Sequence, residues 1–309
     1  MKIIGAGLAG LLAAHMMPEA EIFEANEKLQ RNHYAVLRHR SAKISVATGI
    51  PFKEIDVIKS IWFDNQHTEP NIKICNLYSR KVANMVAKRS IWSASNLDWG
   101  CSSRYLAPDN FINKLAAPIM DRIHFDYKVS GQELKEDDGE PVISTIPLPV
   151  LADLLGVEKP KMRHTATPIV VKRYRVPAVG VYQTIYYPEL HNPIYRATLH
   201  DNLLIAEGLE EDSRMPTKWR ETLSASFGMD PDDMIPAGTH SQKYGKIVPI
   251  DDKFRKSFIL HATMKYNIWS LGRFATWRNI LLDEVHDDVL KIKGMLSQHK
   301  YDIKLESIK

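Results

Sequence analysis

Three glycines near the amino terminus have the spacing of a phosphate cradle. In "GAGLAG", Gly5, Gly7 and Gly10 give G-x-G-x-x-G directly after the apolar run Met1 to Ile4. The first glycine permits a tight turn, the second lets backbone approach a pyrophosphate, and the third lets the next helix pack on the strand. That helix, with Leu8, Leu11 and Leu12, would point its partly positive N-terminus at the phosphates. Glu24 lies 19 residues after Gly5 and ends a second strand, "AEIFEA", where a carboxylate binds ribose hydroxyls. An acid there suits the free 2′-hydroxyl of FAD or NAD and repels the 2′-phosphate of NADP. The bland alternative is a solvated strand end. Together these residues predict a dinucleotide-binding βαβ unit.

Other residues are candidates by type and place. Arg273 falls between a predicted strand and a predicted helix, where a guanidinium either pairs bidentately with a diphosphate or braces a loop. Trp277 either covers a cofactor edge or anchors a core. Lys246 follows Gly245; a lysine does proton chemistry when burial lowers its pKa, and is otherwise a solvated charge. Lys243 is a weaker competitor, and His39 and His164 are acid–base candidates in basic stretches. The twelve histidines and the two cysteines, Cys75 and Cys101, show no metal-ligand spacing, so no metal is expected. No G-x-S-x-G is present, which disfavours a serine hydrolase.

The elements that must position these groups alternate in character along 309 residues, enough for two sizeable cores. After the βαβ opening, "DNFINKLAAPIM" has helical spacing (Phe111, Leu115, Ile119), with Asp109 or Asn110 as a cap. "RIHFDYKV" and "VISTIP" read as strands about the turn "KEDDGEP". Residues 165–210 hold short β-rich runs separated by Pro, Gly, Asn and Asp, an expected antiparallel meander. "SFILHATM" and "IWSLG" read as strands, and Leu281, Val285, Val289, Ile292 and Leu296 share one face of a last helix. Composition is ordinary for a globular chain: 44% hydrophobic and 25% charged, with a net charge of +4. That charge is well short of a dedicated nucleic-acid module. The basic stretches "RHRSAK", "SRKVANMVAKRS" and "VKRYRV", with tyrosines Tyr174, Tyr182, Tyr186 and Tyr195, form either a wall for a phosphorylated substrate or an ordinary solvated face. No apolar run approaches the roughly 18 residues of a membrane span. A glycine loop beginning at residue 5 and only two cysteines lead us to expect no signal peptide and a cytoplasmic setting.

Taken together, "GAGLAGL", "FEA" with Glu24, "VISTIP" and "SLGRFATW" resemble the flavoprotein superfamily of amine oxidases and UDP-galactopyranose mutases. The resemblance implies FAD as cofactor. It implies that Gly272 and Arg273 lie near the pyrophosphate or ribityl chain, and that Asp283 is the acid of that late segment. It implies that Val129 belongs to the strand whose backbone contacts adenine and that Thr145 lies beside the adenine. In amine-oxidising members a lysine holds a water against the flavin N5, which implies Lys246 as the catalytic residue. The stretch "NEKLQRNHYAVLRHRSAK" lacks the glycine pair many members carry, leaving Arg38 and Arg40 as the cations for the phosphates. "HYAVLRHRS" and "YGKIVPID" are also similar to flavoproteins of tailed phages, some of which trim an amino-acid group attached to thymine.

The expected fold class is α/β, a Rossmann-like FAD-binding domain interleaved with an antiparallel-sheet substrate domain. Residues 1–45, 101–155 and 250–309 are expected in the first, and 46–100 and 156–249 in the second. The implied activity is that of an FAD-dependent oxidoreductase that oxidises a C–N bond of an amine, with amino-acid-modified thymine in phage DNA as one such substrate. Two alternatives stand beside it: a non-redox flavin mutase acting on a nucleotide sugar, and a flavin-binding protein without turnover.

Overall fold

Short apolar runs separated by helices produce a parallel sheet, because each strand must cross to the same end before it can pair again. In the computed structural model, which describes residues 1–29, 36–83, 100–136, 139–158, 169–209, 219–242, 247 and 250–306, β1 (Lys2–Ile4) pairs with β2 (Glu21–Phe23) and with β8 (Val142–Ser144). β2 continues to β7 (Ile123–His124), and β8 to β14 (Ile268–Ser270). All four pairings are parallel, in the order β14-β8-β1-β2-β7.

Helices cover both faces of this sheet. On one lie α1 (Leu8–Met16), α2 (Lys43–Thr48), α4 (Phe111–Ala116) and α8 (Leu282–Glu306). Helix α1 is buried on most sides, through Leu11, Leu12, Ala13 and Ala14, because it is caught between sheet and α8. Val285, Val289, Ile292 and Leu296 form the α8 face toward it, while Leu281 stays partly exposed ahead of the helix. On the other face lie α5 (Leu148–Leu155) and α7 (Asp252–Tyr266). Pro149 in its first turn and Gly156 at φ +66° bound α5.

The larger sheet has nine strands: β3 (Arg38–His39), β4 (Lys53–Phe63), β5 (Gln66–Thr68), β6 (Gly100–Leu106), β9 (Ile169–Arg175), β10 (Tyr182–Tyr186), β11 (Ile194–His200), β12 (Leu203–Leu209) and β13 (Ile235–Gln242). Its path is β13-β9-β12-β11-β10-β4-β6-β3, with β5 hairpinned on β4. The β10–β4 pairing is parallel, so the sheet is mixed. The expected meander holds for β10-β11-β12 only. β9 returns beside β12, giving a Greek-key order. One face packs under α6 (Trp219–Phe227) through Ile185, Ala197, Leu204 and Leu223. The other is closed at one end by α3 (Ile72–Ala83), where Ile74, Cys75 and Tyr78 meet Ile61, Ile169 and Ile205.

Two sequence expectations are corrected. "SFILHATM" is not a strand but the middle of α7, which Asp251 opens by accepting from the N–H groups of Lys253 and Phe254, and Asn267 closes at φ +50°. "RIHFDYKV" is a strand only at Ile123–His124; Val129 lies beyond it, buried in the core under α5 and α7.

Candidate functional site

The glycine loop is shaped by contacts from distant segments. Gly5 has φ +99°, and a β-carbon there would stand 2.3 Å from Thr145 Oγ1. Thr145 follows β8 and ties itself to the loop: its N–H and hydroxyl both donate to the Ile4 carbonyl, at 2.9 and 2.8 Å. A β-carbon on Gly10 would lie 2.0 Å from the Gly5 carbonyl oxygen, so only glycine lets α1 start this close to its strand. Gly7 differs: it caps α1 at φ −74°, and a β-carbon would meet nothing within 4 Å. The structure therefore leaves open space in front of the helix start, where first-turn N–H groups have no partner within the helix.

Glu24 and Gly272 complete this corner. Glu24 accepts from the Ala6 N–H at 2.7 Å and from the N–H and side-chain amide of Asn26, so its carboxylate sits against the loop. Gly272, at φ +93° just after β14, packs so closely on α1 that a β-carbon would be 2.8 Å from the Ala9 side chain. Gly5, Gly7, Gly10, Glu24, Thr145 and Gly272 are thus brought together.

Arg273 leaves this corner toward the larger sheet. Its Nη2 donates to Asn279 Oδ1 at 2.8 Å, while its buried Nε has no hydrogen-bond partner. Burial lowers its pKa, the largest influence; Tyr195 and Glu207 oppose that, and Arg196 adds to it. Those neighbours belong to a charged cluster on the sheet. Arg196 Nε pairs with Glu207 Oε2, and the Tyr195 hydroxyl donates to Glu207 Oε1 at 3.1 Å. Burial alone would weaken the Arg196 charge, but Glu207 outweighs it and holds the guanidinium above its ordinary pKa.

Arg38 belongs to the same cluster. By register, Arg38 on β3, Arg104 on β6, Thr184 on β10, Arg196 and Thr198 on β11, Glu207 on β12 and Arg173 on β9 face the same side. Arg38 Nη2 donates to Thr184 Oγ1 at 2.7 Å, three strands along the path, so the sheet curls until its end strand reaches its middle. Arg40 is exposed; its backbone N–H donates to Asp283.

Asp283, in the first turn of α8, is engaged with residues 39–41. It accepts from the N–H groups of Arg40 and Ser41, each at 3.3 Å, and from the Ser41 hydroxyl at 3.0 Å. His39 Nδ1 lies 3.6 Å away. Burial would raise the Asp283 pKa, but His39, Ser41 and the Arg40 N–H bring it down to about 2. Trp277 is 3% exposed in the core that holds Ile4, Val129 and Leu148, with backbone in the left-handed region at φ +48°. Lys246, Lys243 and His164 lie outside the described residues. Among the described residues no His, Cys, Asp or Glu cluster could hold a metal ion.

Arg196 and Glu207 are the site residues the sequence reading passed over. The usable signal was Glu207 itself, one charge in the apolar strand Leu203–Leu209, which a buried sheet accepts only with a partner.

No protein-family model and no curated protein matches this sequence. Solved structures do match its fold. Reduced UDP-galactopyranose mutase aligns over 96% of this chain and 93% of its own, at 15% identity and a TM-score of 0.63. A CLA-producing fatty acid isomerase from P. acnes aligns over 96% and 97%, at 9% identity and a TM-score of 0.58. A protein from Pyrococcus furiosus aligns over 94% and 95%, at 12% identity and a TM-score of 0.55. At these identities the likeness is one of fold.

Proposed function

We propose that this protein is an FAD-dependent enzyme whose substrate presents a negative charge to the arginine-bearing face of the larger sheet. The supporting observation is the meeting of three distant segments at the start of α1: the glycine loop, Thr145 and Gly272. The residues there fit FAD. The open approach at Gly7 suits a diphosphate, the carboxylate of Glu24 suits a ribose, and Arg273 offers a buried guanidinium nitrogen nearby. Bound FAD would supply hydride acceptance or donation. This chain's own residues would hold it, exclude water and bring the substrate's charge to Arg38 and Arg196.

The cofactor part is proposed to draw on segments 1–45, 101–155 and 250–309, with β3 and β6 lent to the larger sheet, and the substrate part on 46–100 and 156–249. The reaction is taken as oxidation of a C–N bond in an amine, with mutase chemistry on a nucleotide sugar as the second reading, supported by the fold shared with that mutase. The spread of Arg38, Arg104, Arg173 and Arg196 over one face also supports an amine carried on a polyanion such as modified DNA.

The purified protein is expected to be yellow and to release FAD on denaturation. Recovery of NAD, or no flavin after reconstitution, overturns the proposal. Anaerobic bleaching of the flavin by an amine then supports oxidation; turnover of a nucleotide sugar only after dithionite supports the mutase reading. Steep loss of DNA binding with salt would support the polyanion.

A further inference from the structure

We infer that Arg38 reads a second negative charge on the substrate, and that the group seated between Arg38 and Arg196 is a compact dianion of the kind a phosphate monoester presents. The inference rests on the proposed function for the role of the site, and it chooses a phosphate monoester over the polyanion and the nucleotide sugar as the charged group.

The sequence suggested Arg38 as a cation for the cofactor phosphates. The fold puts it elsewhere. β3 is the end strand of the larger sheet, and the Arg38 side chain crosses to Thr184 on β10. Arg196 stands in register with Tyr186, two residues further along β10 on the same face. The positions that Arg38 reaches and Arg196 occupies are therefore about 7 Å apart along the strand, and Arg196, though bonded to Glu207, is the strongest like charge acting on Arg38. Thr184 and Thr198, whose hydroxyls are 3.4 Å apart, give that stretch a polar floor.

Charge balance sets the ligand. Arg38, Arg196 and Arg273 share one neighbouring carboxylate, Glu207, which is already bonded to Arg196 and Tyr195. Arg104 and Arg173 face the same side, so this face holds a surplus of positive charge even with Arg273 turned to the cofactor. Arg38 Nη1 is buried without a hydrogen-bond partner, which is costly for a charged donor. Burial, and then the like charge of Arg196, pull the Arg38 pKa down to about 10, so the group stays charged at neutral pH against a penalty. A dianion removes that penalty and supplies the missing acceptor. A diphosphate diester also carries two charges, but on separate phosphorus atoms, and titration with each separates the two ligands.

Phenyl phosphate and phenyl sulfate share a shape and differ by one charge at pH 8, where the phosphate, with a second pKa near about 6, is a dianion. Calorimetric titration of the FAD-loaded protein is expected to show phenyl phosphate binding about tenfold or more tighter than phenyl sulfate, with the preference shrinking at pH 5. Arg38→Met should abolish the preference, Arg38→Lys should restore part of it, and Arg175→Met, on the exposed rim, should leave it in place. Thermal melting and retained FAD show that each variant folds. Equal binding of the two probes, tighter binding of a diphosphate diester or of duplex DNA, or an unchanged preference in Arg38→Met would each overturn the inference. Because the titration reads heat, loss of the preference with FAD still bound removes this inference alone, whereas a protein that never takes up FAD removes the proposed function.

Discussion

The three glycines of the loop do three different jobs, and single substitutions separate them. At Gly7 a side chain meets open space and the backbone is ordinary, so Gly7→Val is expected to melt within a few degrees of the parent while losing FAD binding. At Gly5 and Gly10 an added β-carbon strikes Thr145 or the Gly5 carbonyl, so Gly10→Ala should destabilise by about 1–3 kcal/mol as an overpacking change before any cofactor is added. Thermal melts with and without FAD, beside flavin-fluorescence titration, check both; tight FAD binding by Gly7→Val would mean the loop is not the cradle. Arg273→Ala is expected to weaken FAD, or slow flavin reduction, by about 1.5–3 kcal/mol, the scale of a lost charge-assisted pair. Arg220→Ala, which gives up only an exposed bond to the Pro231 carbonyl, should have no such effect. Equal behaviour of the two variants removes Arg273 from the site.

At the scale of elements, Asp283 fastens α8 to the segment that carries Arg38. Its carboxylate titrates near 2 against an ordinary 3.8, so the folded state holds the charged form more strongly than the unfolded one does. A depressed carboxylate contributes its stability above the unfolded pKa and loses it as pH falls through the folded one. Urea unfolding is expected to show about 1–2 kcal/mol of stability disappearing between about pH 4 and pH 2, and Asp283→Asn should lack that share of the loss. Matching pH dependence in parent and variant would place the clamp elsewhere. Elements of this kind were unevenly legible. The glycine loop, Glu24 and the stripe from Val285 to Leu296 could be read because each follows a short-range pattern. α7 was misread because Phe258, Ile259 and Leu260 form a β-like run; its real markers, Asp251 and Asn267, lie at its ends. Arg196 and Glu207 went unread because their partnership exists only across a strand pairing, with Arg196 at a β-bulge that shifts the register.

At the scale of the molecule, the parallel sheet draws its strands from distant parts of the chain, and the proposed cofactor corner uses residues that follow four of them, β1, β2, β8 and β14. A chain ended after Tyr266 lacks β14, Gly272 and α8. It leaves Leu11 and Leu12 uncovered on one side and removes the neighbour that presses on Ala9. Such a chain is expected to show no cooperative melting transition and to hold no FAD. Scanning calorimetry and flavin release test this, and a folded, yellow product would show that the terminal segment is dispensable.

The same strand order has a consequence for synthesis. β1 leaves the ribosome first, yet one neighbour begins at residue 142 and the far edge strand at 268. At about 5–20 residues per second, β1 waits roughly 7–28 s for β8 and longer for β14. During that interval α2 and α4 can already pack on α1, but the side that α8 covers in the folded protein stays open. Gly272 reaches Ala9 only once β14 has been made, so FAD is expected to bind after the earlier strands have been synthesised. Ribosome-bound chains stalled near residue 260 should carry no flavin.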